Sequence, residues 1–398
     1  MTLLRNTPLG RAELSRALGL SKTALGDLIG DLMAEGLVTE SSERVSQPTR
    51  RGRRPAPLGV NARRAAVIGV DLSATTFEFG VYDLTGAPLS LRRVPSRRGE
   101  GEATIYAHLL GGIRSVLRHA GTLALPVAAV GVAAPGPLDA EAGVILVPPA
   151  FPELHHLRLR ARLEADLALP VRLERNSTAA ATAYLRQSDS ENFVYLLLDQ
   201  GIGAGLVMNR RVYRGAHGYA GEFGHVSLDV NGPPCPCGNR GCLERLADVE
   251  AIRQAYVGRG QADLPFEQMV ERARQGEEAA LEVLGSAGRA IGLAAVGLVN
   301  ILDPRILVLG GPGARASPFL IPAIRRELGA RAYPYLRWGE HLDIHTCTLP
   351  NPVGRGAAEC VLNALYRGDI PLSRPDRAPD VPPGRRRGHT HAPESGGG

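Results

Sequence analysis

The chain has 398 residues and a mass of 42.2 kDa, so we expect more than one domain. Hydrophobic residues make up 44% of it and charged residues 22%, a globular composition that excludes a largely disordered protein. No stretch approaches 18 uninterrupted apolar residues and the first residues carry no secretory signal, so we expect a soluble, cytoplasmic protein with no membrane partner. Five cysteines, three of them within residues 235–242, favour a metal cluster over a disulfide framework.

Positive charge is concentrated near the N-terminus. The whole chain carries a formal net charge of +6, and residues 44–64 alone contain seven arginines and no acidic residue. A basic N-terminal region (residues 1–64) before a nearly neutral remainder predicts contact between this region and a polyanion such as DNA. A solvated linker is the alternative interpretation of the same charge pattern.

The first 45 residues predict two short helices joined by a tight turn. Apolar residues recur at helical spacing on both sides of Gly19-Leu20-Ser21, and Gly36 ends the second helix before a short strand. This order is typical of a winged helix-turn-helix, which would place Ser21, Lys22 and Thr23 against a DNA major groove. A generic helical hairpin has the same periodicity. Only Leu3 and Leu4 remain of the additional first helix that such modules usually have, so we expect a short module or a start farther upstream.

An arginine-rich segment at residues 46–64 follows the predicted helices. Its run Arg51-Gly52-Arg53-Arg54-Pro55 is extended and basic, which suits a DNA minor groove and the flanking phosphates. We therefore predict Arg51, Arg53 and Arg54 as DNA contacts.

Residues 65–366 predict an α/β body. Buried strands are expected at 66–71, 75–83 and 127–134, and a second strand-rich block begins at 193–199 and continues at 306–309. Two such blocks indicate two lobes, at about 65–175 and 176–366, with a cleft between them. Residues 248–302 should be mostly helical, and the proline- and arginine-rich tail 367–398 should be disordered.

His225, Cys235, Cys237 and Cys242 predict a zinc site. One imidazole and three thiolates complete a tetrahedral shell, and the glycines between the cysteines allow a tight knuckle. With all four positions filled by protein ligands, we expect the metal to be structural. The alternative is a chance cluster of free thiols.

Several glycine turns are candidates for binding phosphate through backbone N–H groups. The positions are Asp71 and Thr75 around the first turn, Gly201 and Gly203 in the second block, and Gly310 and Gly311 after a buried strand. Glycine hairpins are common, so this pattern alone is weak.

The order of these motifs resembles the ROK family of sugar kinases and sugar-responsive transcriptional regulators. The resemblance covers residues 11–366, and its most specific part runs from Gly218-Tyr-Ala-Gly-Glu-Phe-Gly-His225 to Cys235-Pro-Cys-Gly-Asn-Arg-Gly-Cys-Leu-Glu244. It implies a two-lobed, actin-like (RNase H-like) sugar-kinase fold that is sometimes preceded by a winged helix-turn-helix. It also implies that Glu222, His225 and Glu244 bind sugar hydroxyls, held in place by the zinc knuckle.

The chain departs from the kinases of that family at three positions. The first phosphate loop reads Asp71-Leu-Ser-Ala-Thr75 where the resemblance implies two adjacent glycines. Asn176 stands at the position of the general-base aspartate, whose loss costs roughly 10²–10⁴ in rate. Ala150 stands where a sugar-binding asparagine is expected. We therefore predict no phosphoryl transfer and do not expect ATP or Mg²⁺ as cofactors.

Arg175 also alters the predicted sugar pocket. It would favour an acidic or phosphorylated sugar, or it would fill the site and abolish ligand binding. The sequence leaves both interpretations open.

The sequence thus predicts a transcriptional regulator, most simply a repressor, in which a carbohydrate effector acts on a catalytically degenerate kinase body. It would bind a palindromic DNA operator as a homodimer or a dimer of dimers. The alternatives are an ATP-dependent sugar kinase with residual activity, and a ligand-free DNA-binding protein whose body only dimerises.

Replacing both Arg53 and Arg54 by alanine is expected to weaken DNA binding and to lower the slope of log affinity against log salt by about two, because two phosphate contacts are lost. Titrations between about 50 and 200 mM salt measure this slope. The variant R374A/R377A removes the same charge from the tail and serves as the control. An unchanged slope in R53A/R54A would place the segment away from the DNA.

Overall fold

The computed structural model describes residues 4–5, 8–40, 56–333 and 342–372. The predicted DNA contacts Arg51, Arg53 and Arg54 lie outside the described residues, as does the predicted disordered tail beyond residue 372.

Two helices and a two-stranded sheet form the N-terminal part, which we call the head (residues 4–60). Helices α1 (Arg11–Leu18) and α2 (Lys22–Ala34) are joined by a turn in which Gly19 has a left-handed φ of 65°. The Ser21 hydroxyl accepts a hydrogen bond from the Ala24 amide at 3.2 Å, which caps α2 as predicted. Strands β1 (Val38–Glu40) and β2 (Leu58–Val60) then pair antiparallel.

The head has its own apolar core. Leu4, which is helical, is buried against residues of both helices and both strands; the buried members are Leu4, Leu14, Leu25, Ile29, Val38 and Leu58. Leu4 therefore supplies part of the packing expected of the additional first helix. Because the leucines of α1 and α2 share this core, the turn between the helices is held at a fixed geometry.

The body contains two five-stranded sheets with the same connectivity. The strands of the first sheet are β3 (Ala66–Leu72), β4 (Thr76–Asp83), β5 (Pro88–Pro95), β6 (Val127–Ala134) and β9 (Val171–Arg175). Those of the second are β10 (Phe193–Asp199), β11 (Gly201–Met208), β12 (Arg211–Tyr213), β13 (Ile306–Gly310) and β14 (Asp343–Thr346). The spatial orders are β5-β4-β3-β6-β9 and β12-β11-β10-β13-β14, so each sheet is an antiparallel meander extended by two parallel strands. The α/β class predicted from the sequence is confirmed.

The remaining elements connect and cover these sheets. The short strands β7 (Leu138–Asp139) and β8 (Val144–Ile145) form a separate hairpin. The helices are α3 (Glu102–Thr122), α4 (Leu159–Leu167), α5 (Asn176–Gln187), α6 (Glu244–Ala247), α7 (Val249–Val257), α8 (Phe266–Arg274), α9 (Glu278–Leu302), α10 (Ser317–Arg331) and α11 (Pro352–Arg367). The stretch 248–302 is thus mostly helical, as expected.

Helices α5 and α11 pack against each other between the two sheets, and glycines permit the contact. A Cβ on Gly356 of α11 would lie 1.7 Å from the Ala179 carbonyl oxygen of α5. On one side, Gly69 and Gly131 admit the α11 backbone to the first sheet; on the other, Gly205 of β11 admits α5. Helix α11 therefore packs against the first sheet. The predicted lobe boundary at 175/176 had assigned this helix to the second lobe.

Helix α9 is long and apolar enough to cross a membrane by length and composition alone. Ten of its residues are buried, and eight of these, among them Leu284 and Ile291, belong to the apolar core beside the second sheet. Packing in that core accounts for its apolar character.

We expect Gly356→Ala to lower the free energy of unfolding by about 1–3 kcal/mol or more, because the new methyl group collides with backbone atoms that cannot move alone. Gly297→Ala is the matched control: it lies in α9, where a Cβ meets no atom within 4 Å. That change should stabilise the protein by up to about 1 kcal/mol through helix propensity. Urea unfolding measures both, and equal effects of the two substitutions would refute the close α5–α11 packing.

Candidate ligand site and metal cluster

One cleft brings together residues that sequence reasoning assigned to sugar binding. Its lining includes Glu222, His225 and Glu244, together with Ala150, Arg175 and Asn176. Glu222 precedes a single 3₁₀ turn (Phe223–His225), and Glu244 begins α6 directly after the cysteine cluster. These carboxylates can accept hydrogen bonds from vicinal hydroxyls, and the imidazole can donate one through its N–H to a hydroxyl oxygen.

Arg175 points into this cleft and is already engaged. Its Nη1 donates to Glu222 Oε1 at 2.8 Å, and Nη2 donates to Thr178 Oγ1 at 3.2 Å and to the Ala220 carbonyl oxygen. The Arg175 side chain is only 5% exposed, whereas that of Glu222 is 35% exposed. The Arg175 guanidinium therefore already engages one carboxylate oxygen of Glu222, a residue predicted to bind the sugar.

Asn176 is the first residue of α5 and also lines the cleft. Its Oδ1 atom is buried and has no hydrogen-bond partner among the described residues. A neutral amide oxygen can accept a hydrogen bond from a hydroxyl but cannot take up its proton. The Asn176 side chain is thus placed to accept a hydrogen bond from a ligand hydroxyl.

His225, Cys235, Cys237 and Cys242 form a cluster that could hold a metal ion, with one ligand atom from each within 4.8 Å of the others. The Cys237 and Cys242 Sγ atoms are 3.7 Å apart, and Cys235 Sγ is 3.7 Å from His225 Nδ1. Zn–S bonds of about 2.3 Å in a tetrahedron place sulfur atoms about 3.8 Å apart, so the residues fit zinc. Burial raises the pKa of the Cys235 and Cys242 thiols; coordination to a cation would offset this shift.

The metal cluster directly adjoins the candidate ligand residues. Glu244 Oε1 lies 3.2 Å from Cys235 Sγ and 3.5 Å from His225 Nδ1. A metal held by these four ligands would fix the orientation of His225 and the start of α6. This arrangement limits the conformational entropy lost when a ligand binds.

A second cleft of about 810 Å³ adjoins the first and contains Asp71, Thr75 and Gly311. Burial, with a smaller contribution from the nearby Asp199 carboxylate, raises the pKa of Asp71 to about 8. Burial therefore favours the protonated form of Asp71, and a bound cation would offset this shift. Its carboxyl accepts a hydrogen bond from Ser73 at 2.6 Å.

The glycines predicted to bind phosphate have close packing partners. A Cβ on Gly203 would lie 2.9 Å from Ser177 Oγ, and one on Gly310 would collide with the Tyr195 ring. Gly201 and Gly311 have φ values of 135° and 83°, which favour glycine. Packing and backbone conformation thus account for these glycines, and a phosphate role stays a prediction.

The predicted DNA-contacting residues that the structure describes are exposed. Ser21, Lys22 and Thr23 lie at the N-terminus of α2, on the surface of the head. Their position is compatible with groove contact.

Sequence reasoning missed two acidic groups in the second cleft. Glu78 pairs with Arg93, and its Oε1 is buried without a partner among the described residues. Asp199, whose pKa is raised by burial, ends β10. Glu78 interrupts an otherwise apolar strand, which was the signal available for it in the sequence.

Fold and site together define an α/β protein with two five-stranded sheets, a cleft, an adjoining four-residue cluster that could hold a metal ion, and a helical head. The ROK family profile matches residues 67–359, and the chain belongs to the ROK family. This confirms the resemblance found in the sequence.

Similar proteins fall into two groups by length. The chain is 26% identical to the "Xylose repressor" of Bacillus spizizenii over 366 residues, which cover 91% of this chain and 92% of the relative. It is 29% identical to the "Glucokinase" of Thermotoga maritima over 285 residues, which cover only 66% of this chain and 86% of the relative. Among solved structures, a "ROK family transcriptional regulator, homolog of E.coli MLC protein" matches with a TM-score of 0.79 and 25% identity, covering 92% of this chain and 95% of the other.

Removing the metal with a strong chelator is expected to lower the melting temperature of the protein, because a closed four-ligand site contributes folding free energy directly. Elemental analysis should find one zinc per chain before treatment, and added zinc should restore the original melting temperature. Cys237→Ser should reproduce the loss, whereas Cys347→Ser, outside the cluster, should not. Unchanged melting in the chelator would refute the metal assignment.

Proposed function

We propose that this protein is a sugar-responsive transcriptional repressor that acts in the cytoplasm. The observation that carries the proposal is the presence of a basic head on a kinase-like body whose catalytic position is Asn176. Relatives that match the chain along nearly its whole length have repressor names, and the function predicted from the sequence is confirmed at this level.

The body is proposed to bind ligand without transferring phosphate. A neutral amide such as that of Asn176 cannot act as a general base. Ala74 lines the cleft where the family resemblance implies a glycine. The wide second cleft is the feature that favours the alternative, a kinase with residual activity.

The effector is proposed to be a carbohydrate held by Glu222, His225 and Glu244, with a structural zinc ion behind them. Arg175 imposes a condition on this ligand, because its guanidinium is only 5% exposed and a buried charge is costly to leave without a counter-charge. A neutral sugar must therefore leave the Arg175–Glu222 pair intact and use the second oxygen of Glu222. An acidic or phosphorylated sugar can take over Arg175 and release the half-exposed Glu222.

DNA recognition is assigned to the head, which we interpret as a winged helix-turn-helix. Helix α2 would enter the major groove with Ser21, Lys22 and Thr23, and the arginine-rich segment would contact the backbone. A palindromic operator and a homodimer or dimer of dimers follow from the two-fold symmetry that such heads require. Closure of the cleft would change the spacing of two such helices and so the affinity for the operator.

The direct test is capture of fragments from the protein's own genome by the full chain in about 0.15 M salt. Bound fragments are then challenged with neutral pentoses and hexoses, amino sugars, uronic acids and sugar phosphates. One palindromic region released by one sugar supports the proposal, and the charge of that sugar shows how Arg175 is used. A region that no sugar releases favours the ligand-free alternative, and ATP-dependent sugar phosphorylation favours the kinase.

Glu244→Ala is expected to abolish release by the sugar while operator affinity stays within about twofold, because the residue contacts the ligand and not the DNA. Fluorescence anisotropy with the captured fragment measures both quantities. Glu278→Ala, an exposed glutamate at the start of α9, is the matched control and should behave as the unchanged protein. Loss of DNA binding in Glu244→Ala would instead indicate a structural role.

A further inference from the structure

A buried ionic contact joins the head to the last helix of the body. Arg5 Nη2 donates to Glu359 Oε1 of α11 at 2.8 Å, and both side chains are only 1% exposed. Arg5 Nε also donates to the Thr85 carbonyl oxygen at 3.1 Å, and the guanidinium lies 5.2 Å from the centre of the Tyr366 ring. The residues are 354 positions apart in the chain, so this contact is purely tertiary.

The hairpin between β4 and β5 is shaped to admit this pair. Gly86 has a left-handed φ of 85°, and a Cβ there would lie 2.4 Å from Arg5 Nη2 and 2.6 Å from Glu359 Oε1. An apolar contact lies beside the pair: Leu37 of the head packs in one cluster with Leu362 and Leu365 of α11. The head is thus docked on α11 by a charge and an apolar patch together.

A second arginine competes for the same carboxylate oxygen. Arg186 Nε, in the last turn of α5, lies 3.7 Å from Glu359 Oε1, which is too long for a good hydrogen bond. Glu359 Oε2 is buried and has no hydrogen-bond partner among the described residues. Burial and then the Arg5 charge lower the pKa of Arg186, so the two guanidinium groups repel each other across one carboxylate.

Helix α5 connects this cluster to the ligand cleft. Its first residue is Asn176 in the cleft and its last turn contains Arg186, so its twelve residues span about 18 Å between the two sites. Because a twelve-residue helix is stiff, sliding of α5 along α11 would carry Asn176 and Arg186 together and so change the distance between Arg186 and Glu359.

We infer that Glu359 is the positioning residue that couples the head to the body, shared between Arg5 of the head and Arg186 of α5. A buried carboxylate cannot be left without a counter-charge at low cost. When Arg186 approaches Glu359, it replaces Arg5 and allows the head to leave; when Arg186 withdraws, Arg5 holds the head on α11. The docking part of this inference is independent of the proposed function, whereas its link to the sugar response depends on it.

Hydrogen–deuterium exchange on the full chain tests the docking. In Glu359→Gln and in Arg5→Gln, the amides of α2 should exchange at least about tenfold faster, and the double variant should add nothing further, because both changes remove the same contact. Exchange in α9 should stay unchanged. The exposed pair Arg97–Glu100 supplies the matched control variants R97Q and E100Q, which should leave α2 unaffected.

The sharing of Glu359 is tested by a thermal-melting cycle of Arg5→Gln and Arg186→Gln. The double variant should lose more stability than the sum of the single losses, since only then does Glu359 lack any counter-charge. In a Glu359→Gln background this excess should vanish. Strictly additive losses would show that Arg186 is a bystander, and unchanged exchange of α2 in Glu359→Gln would overturn the docking itself.

Operator titrations separate this inference from the proposed function. If the unaltered chain binds an operator but the amide exchange rates of α2 are the same in Glu359→Gln as in the unaltered chain, the inference fails and the proposed function stands. If no operator is found, the function fails, while the exchange and melting experiments still decide whether Glu359 holds the head.

Discussion

The contact between α5 and α11, made possible by glycine at position 356, is the constraint on which the rest of the structure depends. Two helices lie between two sheets with no room for a side chain at their crossing. Helix α5 begins in the ligand cleft, and α11 carries the residues on which the head is docked. Close-packed interiors transmit displacements because they are bistable and cannot deform smoothly. The cleft and the head are therefore in contact with the same pair of packed helices, the cleft through α5 and the head through α11.

The cleft differs from that expected of the family's kinases, and the differences are consistent with a body that binds a ligand without phosphorylating it. Asn176 carries an amide where the family resemblance implies the general base, and burial raises the pKa of Asp71 to about 8. The metal cluster and its neighbours Glu222 and Glu244 remain in place. Arg175 spans the site and pairs with Glu222, so any ligand must either accommodate that pair or replace one of its members. Selectivity for the effector is thus expected to depend on Arg175.

Local patterns predicted much of this architecture. The strands at Ala66, Val127 and Phe193 follow from apolar runs bounded by turns, and the cap at Ser21 follows from one hydroxyl before a helical stripe. The metal cluster was predictable because its ligands lie close together in sequence. Contacts between distant segments could not be predicted in this way. No sequence feature near Arg5 indicates that its partner is Glu359. The packing of α11 on the first sheet depends on glycines whose partners are far away in the chain. The sequence also could not predict that Arg175 pairs with Glu222, because this contact depends on the three-dimensional position of Glu222.

The most direct test of the account is a measurement of thermodynamic linkage between the two sites. The sugar identified by operator release is titrated calorimetrically into the free protein and into its operator complex. Linkage requires that the operator weaken sugar binding by the same factor by which the sugar weakens operator binding. The account predicts equal factors of about 5–150-fold, the usual range for allosteric coupling. Identical sugar affinities in the two titrations would contradict it, because the cleft and the head would then be energetically independent.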